Sequence, residues 1–214
     1  LSQGLGEVYE ILNMDMKPYP CCRSAHCAID AVLDIRRQME AHMGLTIQTE
    51  GEAEILAGQI QKIEIDTYLV GYKQCAVSDG CLHPKTILDA KFSTPYSVAA
   101  AFLYGTVAMG QFEPEVVEKK AVQDLLAKVI VQPSDRFTEQ YPKHWGCFMK
   151  LTMQDGTCYE TEVEDPSGSV ERPLSRVQAR NKAEEFLSVL CPGREQETIE
   201  KILNLAGSER LPVI

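Results

Sequence analysis

Apolar residues recur at helical spacing near the start of the chain. Between Ser24 and Met43 they fall three or four residues apart, at Ala25, Ala28, Ile29, Val32, Ile35, Met39 and Met43. This spacing is typical of a helix that buries one face. We predict a helix from Ser24 to Met43, with the Ser24 hydroxyl as its N-cap and Gly44 as its end.

Alternation replaces the helical pattern between Ile60 and Val70. Ile63, Ile65, Thr67 and Leu69 face one way and the residues between them are polar, which predicts a half-buried strand. The same alternation over 147–153 and 157–164 flanks Asp155-Gly156 and predicts a β-hairpin. Two further strands are predicted over 8–16 and 129–132.

The remaining segments are helical or irregular in pattern. We predict helices over 86–104 with a break near Pro95, and over 114–127, 175–190 and 195–206. Residues 45–58 read as a loop with at most a short helix, residues 71–85 as irregular, residues 133–146 as a surface excursion, and residues 165–173 as a linker.

Together these elements predict an α+β fold, in which an antiparallel or mixed sheet carries helices on one face. We expect an α+β domain over residues 1–168. The last two helices, within residues 169–214, have no obvious packing surface on that sheet.

Bulk composition limits the classes of function. The chain has 214 residues, 44% hydrophobic and 24% charged, which suits one ordinary domain or two small ones. No apolar run approaches the roughly 20 residues of a membrane span, and no signal-like stretch follows Leu1. We therefore expect a cytoplasmic protein with no membrane partner, and a chain that starts inside a longer one. The net charge of −10 argues against a nucleic-acid partner.

Cysteine is frequent, with eight residues in the chain. Their spacing matches neither zinc ligand pairs nor iron–sulfur motifs, so we expect reduced thiols and no metal. A thiol-based redox function for the adjacent Cys21 and Cys22 is disfavoured, because neighbouring cysteines pair only with strain.

Ten residues concentrate the candidate chemistry: Lys-Pro-Tyr-Pro-Cys-Cys-Arg-Ser-Ala-His, from Lys17 to His26. Pro18 and Pro20 predict a stiff extended segment that leads into the helix start. Free N–H groups and the helix dipole favour an anion there, and Lys17 with Arg23 points to a carboxylate or phosphate. The alternative is a plain strand-to-helix turn with a solvated lysine.

His26 and Asp30 stand four residues apart, so both side chains can lie on one side of the first helical turns. The carboxylate could then orient or charge the imidazole. The alternative is a partly exposed histidine that happens to lie near an acid.

This motif, followed by Ala28-Ile29-Asp30-Ala31, resembles the start of the C-terminal half of the MmgE/PrpD family. Further matching segments follow in the same order: Ala90-Lys91-Phe92-Ser93-Thr94-Pro95-Tyr96-Ser97-Val98-Ala99, Gly105, Gly168 and Pro173-Leu174-Ser175. The family includes 2-methylcitrate dehydratase, cis-aconitate decarboxylase and iminodisuccinate epimerase. The resemblance implies that the chain is the family's α+β lid domain with its return helices, which would pack on a missing N-terminal all-helical domain.

The resemblance also implies a function. We expect part of a homodimeric lyase or isomerase that moves a proton next to a carboxylate of a small di- or tricarboxylate, most similar to 2-methylcitrate dehydratase. It implies no metal or organic cofactor. The alternative is a stand-alone non-catalytic module, or a half-enzyme subunit that needs a partner with the helical domain. In either case we expect this chain by itself to be inactive.

Individual roles follow by position in the motif. Lys17 matches an active-site lysine of the family, as a carboxylate binder or proton donor. Cys22 stands where the decarboxylase branch has a histidine, which disfavours decarboxylase identity. The family's site tyrosine matches Tyr68 or Tyr72, and the alignment leaves both open. The resemblance thus assigns catalytic roles to Lys17, His26 and Tyr72, and substrate contacts to Lys17, Cys22, Arg23 and Tyr68.

Overall fold

Helices and a small sheet alternate along the chain in the computed structural model, which describes residues 4, 6–7 and 9–205. The strands are β1 (Ile60–Thr67), β2 (Val129–Pro133), β3 (Cys147–Met153) and β4 (Cys158–Val163). The α-helices are α1 (His26–Met43), α2 (Glu50–Gly58), α3 (Leu69–Cys75), α4 (Asp79–Leu82), α5 (Ile87–Lys91), α6 (Thr94–Tyr104), α7 (Pro114–Val117), α8 (Lys120–Leu126), α9 (Asp135–Gln140), α10 (Arg176–Leu190) and α11 (Glu195–Leu203). Short 3-10 turns are found at Glu10–Asn13, Arg23–Ala25 and Met109–Phe112.

The four strands form one mixed sheet in the order β2-β1-β3-β4. β1 runs parallel to β2 and antiparallel to β3, and β3 pairs antiparallel with β4 through the predicted hairpin. Gly156 in that hairpin has φ of +87°, a value that glycine adopts readily. The α+β prediction, with a mixed sheet and helices, is confirmed.

The core lies between the sheet and two helices, α1 and α6. Along β1 and β3, Ile63, Ile65, Met149 and Leu151 are buried, while the residues between them are more exposed, so the sheet packs its core on one face. α1 contacts β3, β4 and α6. The predicted apolar residues from Ala28 to Met39 are buried, but His26, Cys27, Asp30 and Ala31 are buried as well, and Met43 is exposed.

α6 confirms the predicted break near Pro95. The Ser93 hydroxyl accepts a hydrogen bond from the Tyr96 amide at 3.0 Å, and Pro95 occupies the first turn, where its missing N–H costs nothing. Every residue from Thr94 to Leu103 is buried. Such a helix needs cover on all sides, and it forms the centre of the core.

Several predicted segments differ from the structure, and the helix predicted over 114–127 is in fact two helices, α7 and α8. The described part of 8–16 holds a 3-10 turn rather than a strand, and Val8 lies outside the described residues. β1 ends at Thr67, three residues before its predicted end, and the segment predicted as irregular contains most of α3 and all of α4. Leu69 continues the alternating pattern, but both it and Val70 are exposed and open α3.

Two compact units make up the chain. Tyr19–Ser167 contains the whole sheet and α1 to α9. The other unit joins the segment that ends at Pro18 to the segment that starts at Gly168, and contains α10 and α11. Within this second unit the Met16 amide donates to the Gly168 carbonyl at 2.7 Å. The functional division into a lid over 1–168 and return helices stays a prediction.

Candidate active site

The segment before α1 bends at residues 18–21 instead of running extended, so the extended segment predicted from its prolines is wrong, and a backbone hydrogen bond anchors its end. Cys22 has φ of −60° and ψ of 134°, and its amide donates to the Lys91 carbonyl at 2.8 Å. The Arg23–Ala25 turn then leads into α1. The prediction that Ser24 is the N-cap of α1 is therefore wrong, because the 3-10 turn moves the helix start to His26. Its hydroxyl instead donates to Gln74 Oε1 at 2.8 Å.

Arg23 is buried and reaches two acceptors. Its Nη1 donates to the Ser167 carbonyl at 2.9 Å and lies 3.2 Å from His26 Nδ1. Since a guanidinium can only donate, Nδ1 of His26 must be the acceptor in this contact. A neutral His26 therefore carries its proton on Nε2.

His26 is completely buried within a polar network at the start of α1. The Tyr19 ring meets it edge-on, with ring centroids 5.1 Å apart. The Tyr19 hydroxyl donates to one oxygen of Asp30 at 2.6 Å, and the Ser167 amide donates to the other at 2.6 Å. Asp30 and Arg23 thus both hold Ser167, and residues 19–30 are tied to the end of the loop that follows β4.

The two candidate tyrosines have different environments. Tyr68 is buried, stacks on Tyr141 with centroids 4.7 Å apart, and meets Trp145 edge-on at 5.7 Å. Burial raises the pKa of Tyr68, so its phenol stays protonated. Tyr72 lies one turn further along α3 and is half-buried. Of the two residues, Tyr72 is the more exposed.

Lys17 is exposed and belongs to the second unit. There its carbonyl accepts a hydrogen bond from Lys182 Nζ at 2.6 Å. The other predicted site residues, Cys22, Arg23, His26, Tyr68 and Tyr72, all lie in the unit formed by Tyr19–Ser167.

Two thiol pairs flank the start of α1, and the sequence did not indicate either one. The thiol of Cys22 and burial raise the pKa of Cys75 at the end of α3, and burial with the thiol of Cys147 at the start of β3 raises the pKa of Cys27. Both partners come from segments far away in the chain, so spacing could not reveal them.

Within the described ranges, no group of three or more histidine, cysteine, aspartate or glutamate side chains is placed to hold a metal ion. Likewise, no described helix has the length and apolar character that crossing a membrane requires.

Fold and site together define an α+β domain whose first long helix opens on a buried Tyr-Arg-His-Asp network. The sequence profile of the MmgE/PrpD C-terminal domain matches residues 19–206, and the chain belongs to this family. A cis-aconitate decarboxylase-like protein of Aspergillus oryzae is 24% identical over 213 residues, covering 97% of this chain and 41% of that protein. The cis-aconitate decarboxylase of Mus musculus is 25% identical over 198 residues, covering 90% of this chain and 36% of that enzyme. The chain thus spans about two fifths of the length of these relatives.

Proposed function

We propose that the chain is the C-terminal lid portion of a lyase or isomerase that moves a proton next to a carboxylate on a small di- or tricarboxylate. The observation that carries this proposal is the family match over residues 19–206. Because the chain covers only 41% and 36% of its two relatives, the activity is proposed for a complete protein that also has the family's helical domain.

The exposed site residues are suited to direct contact with a substrate. The Lys17 ammonium is exposed and suits a carboxylate. Cys22 and Tyr72 are half-buried, so both have surface to offer a ligand. In this proposal Lys17 binds a substrate carboxylate, Tyr72 donates or relays a proton, and Cys22 contacts the substrate.

The burial of the remaining three site residues supports a different role for them in the proposed function. Arg23, His26 and Tyr68 lie inside the unit formed by Tyr19–Ser167 and make their contacts with protein groups. We propose that Arg23 and Tyr68 hold the segment that presents Cys22. His26, with its proton on Nε2, is kept as a candidate proton donor rather than a base.

Dehydration of 2-methylcitrate is the first candidate reaction. A base removes the proton next to a carboxylate, and a proton donor, Tyr72 in this proposal, protonates the departing hydroxyl so that it leaves as water. Cys22, at the position of a decarboxylase histidine, supports this choice. Decarboxylation of cis-aconitate is the second candidate, supported by the names of the two relatives.

A homodimer in the cytoplasm remains part of the proposal, as does the helical N-terminal domain. Large apolar side chains on α10 and α11 stay exposed, among them Val189, Leu190 and Leu203. Such a face is typical of a surface that another domain or chain covers. The same observation supports the second candidate, a half-enzyme that works only with a partner chain carrying the helical domain.

The test is a substrate screen on the complete protein. 2-Methylcitrate and cis-aconitate are supplied separately, and the products are followed by proton NMR. Lys17→Ala should lower kcat/KM on the order of 10²-fold, the loss expected for one charge-stabilising group. Lys120→Ala, which removes an exposed lysine paired with Asp124, serves as the matched control and should leave turnover unchanged.

The 214-residue chain alone should turn over neither substrate. Robust turnover by this chain, or equal turnover by the Lys17→Ala and Lys120→Ala variants, would contradict the proposal.

A further inference from the structure

Cys22 lies between two side chains whose hydrogen bonds lead to the same carboxylate. Tyr19, three residues before it, donates its hydroxyl to Asp30 Oδ1 at 2.6 Å. Arg23, directly after it, donates Nη1 to the Ser167 carbonyl at 2.9 Å, and the Ser167 amide donates to Asp30 Oδ2 at 2.6 Å. One carboxylate on α1 therefore holds the chain on both sides of Cys22.

The position of Asp30 in α1 makes these contacts rigid. Asp30 is buried, and its helix neighbours Ile29 and Ala31 are completely buried. A carboxylate on a packed helix has little freedom to move, and its hydrogen bonds are stronger than those between two uncharged groups. The Tyr19 ring also meets His26 edge-on, with centroids 5.1 Å apart. Both the ring and the hydroxyl of Tyr19 are thus fixed.

The backbone between these contacts has little room to adjust. Pro20 has a restricted φ because of its ring, and Cys21 is buried. The Cys22 amide donates to the Lys91 carbonyl at 2.8 Å. The Cys22 side chain is nevertheless half-buried, so it keeps surface for a ligand. Residues 19–23 therefore form a rigid support that presents this thiol.

We propose that Asp30 is a positioning residue that sets where the Cys22 side chain meets the substrate. This inference rests on the proposed function, in which Cys22 contacts the substrate. The role differs from the one considered from the sequence, in which Asp30 orients the His26 imidazole. Asp30 acts through Tyr19 and Ser167. When one of these contacts is lost, the substrate is bound less tightly before and during the reaction alike, so KM rises while kcat changes little.

Tyr19→Phe is the most conservative test, because it removes one hydroxyl and keeps the ring. In the complete protein, KM for whichever of 2-methylcitrate and cis-aconitate is turned over should rise by up to about tenfold, and kcat should stay within about twofold. In a Cys22→Ala background the same substitution should leave KM unchanged, because Tyr19 acts through Cys22. Tyr159→Phe is the matched control. It removes a hydroxyl that lies 2.8 Å from His42 Nδ1 near the other end of α1, and should leave KM unchanged.

A second measurement on the same protein requires no turnover. The rate at which N-ethylmaleimide modifies Cys22 is followed by peptide mass spectrometry. Tyr19→Phe should raise this rate by up to about tenfold, while the buried Cys147 on β3 stays protected. Asp30→Ala removes both hydrogen bonds and should raise the rate further. Asp30→Asn should stay closer to the unsubstituted protein, because its amide can accept from Ser167 and donate to the Tyr19 oxygen.

The outcomes separate this inference from the proposed function. Absence of turnover on both substrates contradicts the proposed function, and the modification rates then decide the role of Asp30 by themselves. That role is wrong if Tyr19→Phe leaves the modification rate of Cys22 unchanged, or if Tyr19→Phe raises KM equally with and without Cys22. It is also wrong if Cys147 is modified as fast as Cys22, since the whole unit would then have loosened. Should Asp30→Ala fail to fold, Tyr19→Phe still decides.

Discussion

The two units of the chain are stabilised in different ways. In Tyr19–Ser167, α1 and α6 bury long apolar side chains between themselves and the sheet. In the other unit α10 buries none of its residues, and the described part of α11 buries only Thr198 and Ile199. Arg180 joins these two helices through Glu200 at 3.1 Å. Exposed ion pairs of this kind contribute only about 0–1 kcal/mol each.

The exposure of large apolar side chains on α10 and α11 is a second difference between the two units. Val189 and Leu190 at the end of α10 are 81% and 78% exposed, and Leu203 on α11 is 67% exposed. The two helices enclose a groove of about 790 Å³ with an apolar lining that includes Val177 and Ile202. The unit with the sheet thus has its own source of stability, while α10 and α11 lack one of comparable size.

Hydrogen exchange gives the largest expected difference. In the 214-residue chain, amides of α1 and α6 should exchange slower than those of α10 and α11 by a factor on the order of 10³ or more, because local opening of the exposed helices costs little. Exchange followed by mass spectrometry measures this directly. Equal protection of all four helices would contradict the inferred difference in stability between the two units. In a complete protein that covers the groove, protection of α10 should rise while that of α6 stays the same.

Arg36 offers a sharp test within the sheet-containing unit. Its guanidinium donates to the carbonyls of Phe102 at 2.6 Å and Ile47 at 3.1 Å, and so closes the end of α6. Arg36→Ala should lower the free energy of unfolding by about 3 kcal/mol, since it leaves buried carbonyls without donors. The neighbouring Arg37 is 66% exposed and paired only with Asp34 among its described ion pairs. Arg37→Ala should cost about 0.5 kcal/mol or less.

Urea unfolding measures both arginine variants. Equal losses for the two would show that the Arg36 contacts contribute no more than a surface pair. A loss confined to Arg36→Ala would show that the core of this unit depends on a buried cation as well as on apolar packing.

Glycine substitutions test the second unit. Gly168 and Gly193 both have φ of +80°, but a Cβ at Gly168 would lie 1.9 Å from the Met16 carbonyl oxygen, whereas nothing lies within 4 Å of one at Gly193. Gly193→Ala should cost about 1–2 kcal/mol through backbone strain alone. Gly168→Ala carries the same strain and must also displace Met16, which breaks the backbone hydrogen bond between them.

Limited proteolysis measures how firmly residues 9–18 are held in the two glycine variants. Cleavage within residues 9–18 should accelerate in Gly168→Ala and stay unchanged in Gly193→Ala. The same cleavage rate in both would mean that the Met16 contact does not hold this segment.

The sequence predicted those elements in which side-chain pattern and burial agree. α1, the hairpin and α6 follow periodicity and turn chemistry that are visible within one segment. α3 was missed because Leu69 continues the alternation of β1 while lying on the surface. The segment predicted as irregular begins at Gly71, where a Cβ atom would lie 2.8 Å from Cζ of the Tyr68 ring.

The candidate site could be predicted only as far as it is local in sequence. Residues 17–26 drew attention through their composition, but the burial of Arg23 and His26 depends on Ser167, which is 144 residues away from Arg23 in the chain. Gln74 likewise meets Ser24 only because α3 folds back against the turn. Contacts of this kind carry no signal in the spacing of a single sequence.

Acid titration gives the smallest expected effect and compares one carboxylate from each unit. Burial acts to raise the pKa of Asp34, but hydrogen bonds from Thr161, Gln38 and Arg37 outweigh it and hold that pKa below 3.8. The Thr161 bond, 2.8 Å long, joins α1 to β4. The pKa of Glu197 is also lowered, but by Lys201 and Arg194, which are its neighbours along the chain.

A carboxylate with a lowered folded-state pKa stabilises the protein above its unfolded pKa, and this contribution is lost as the pH falls through the folded value. Asp34→Asn should therefore lower the free energy of unfolding by up to about 1 kcal/mol at pH 6, and the difference from the unsubstituted chain should shrink below pH 3.8. Glu197→Gln should leave the unfolding of the sheet-containing unit unchanged at every pH, because its partners lie next to it in the chain. Urea titrations between about pH 2.5 and 6 check both variants, since this interval spans the ordinary carboxyl range. If Glu197→Gln shifts that transition as much as Asp34→Asn, the two units do not unfold as separately as their interiors imply.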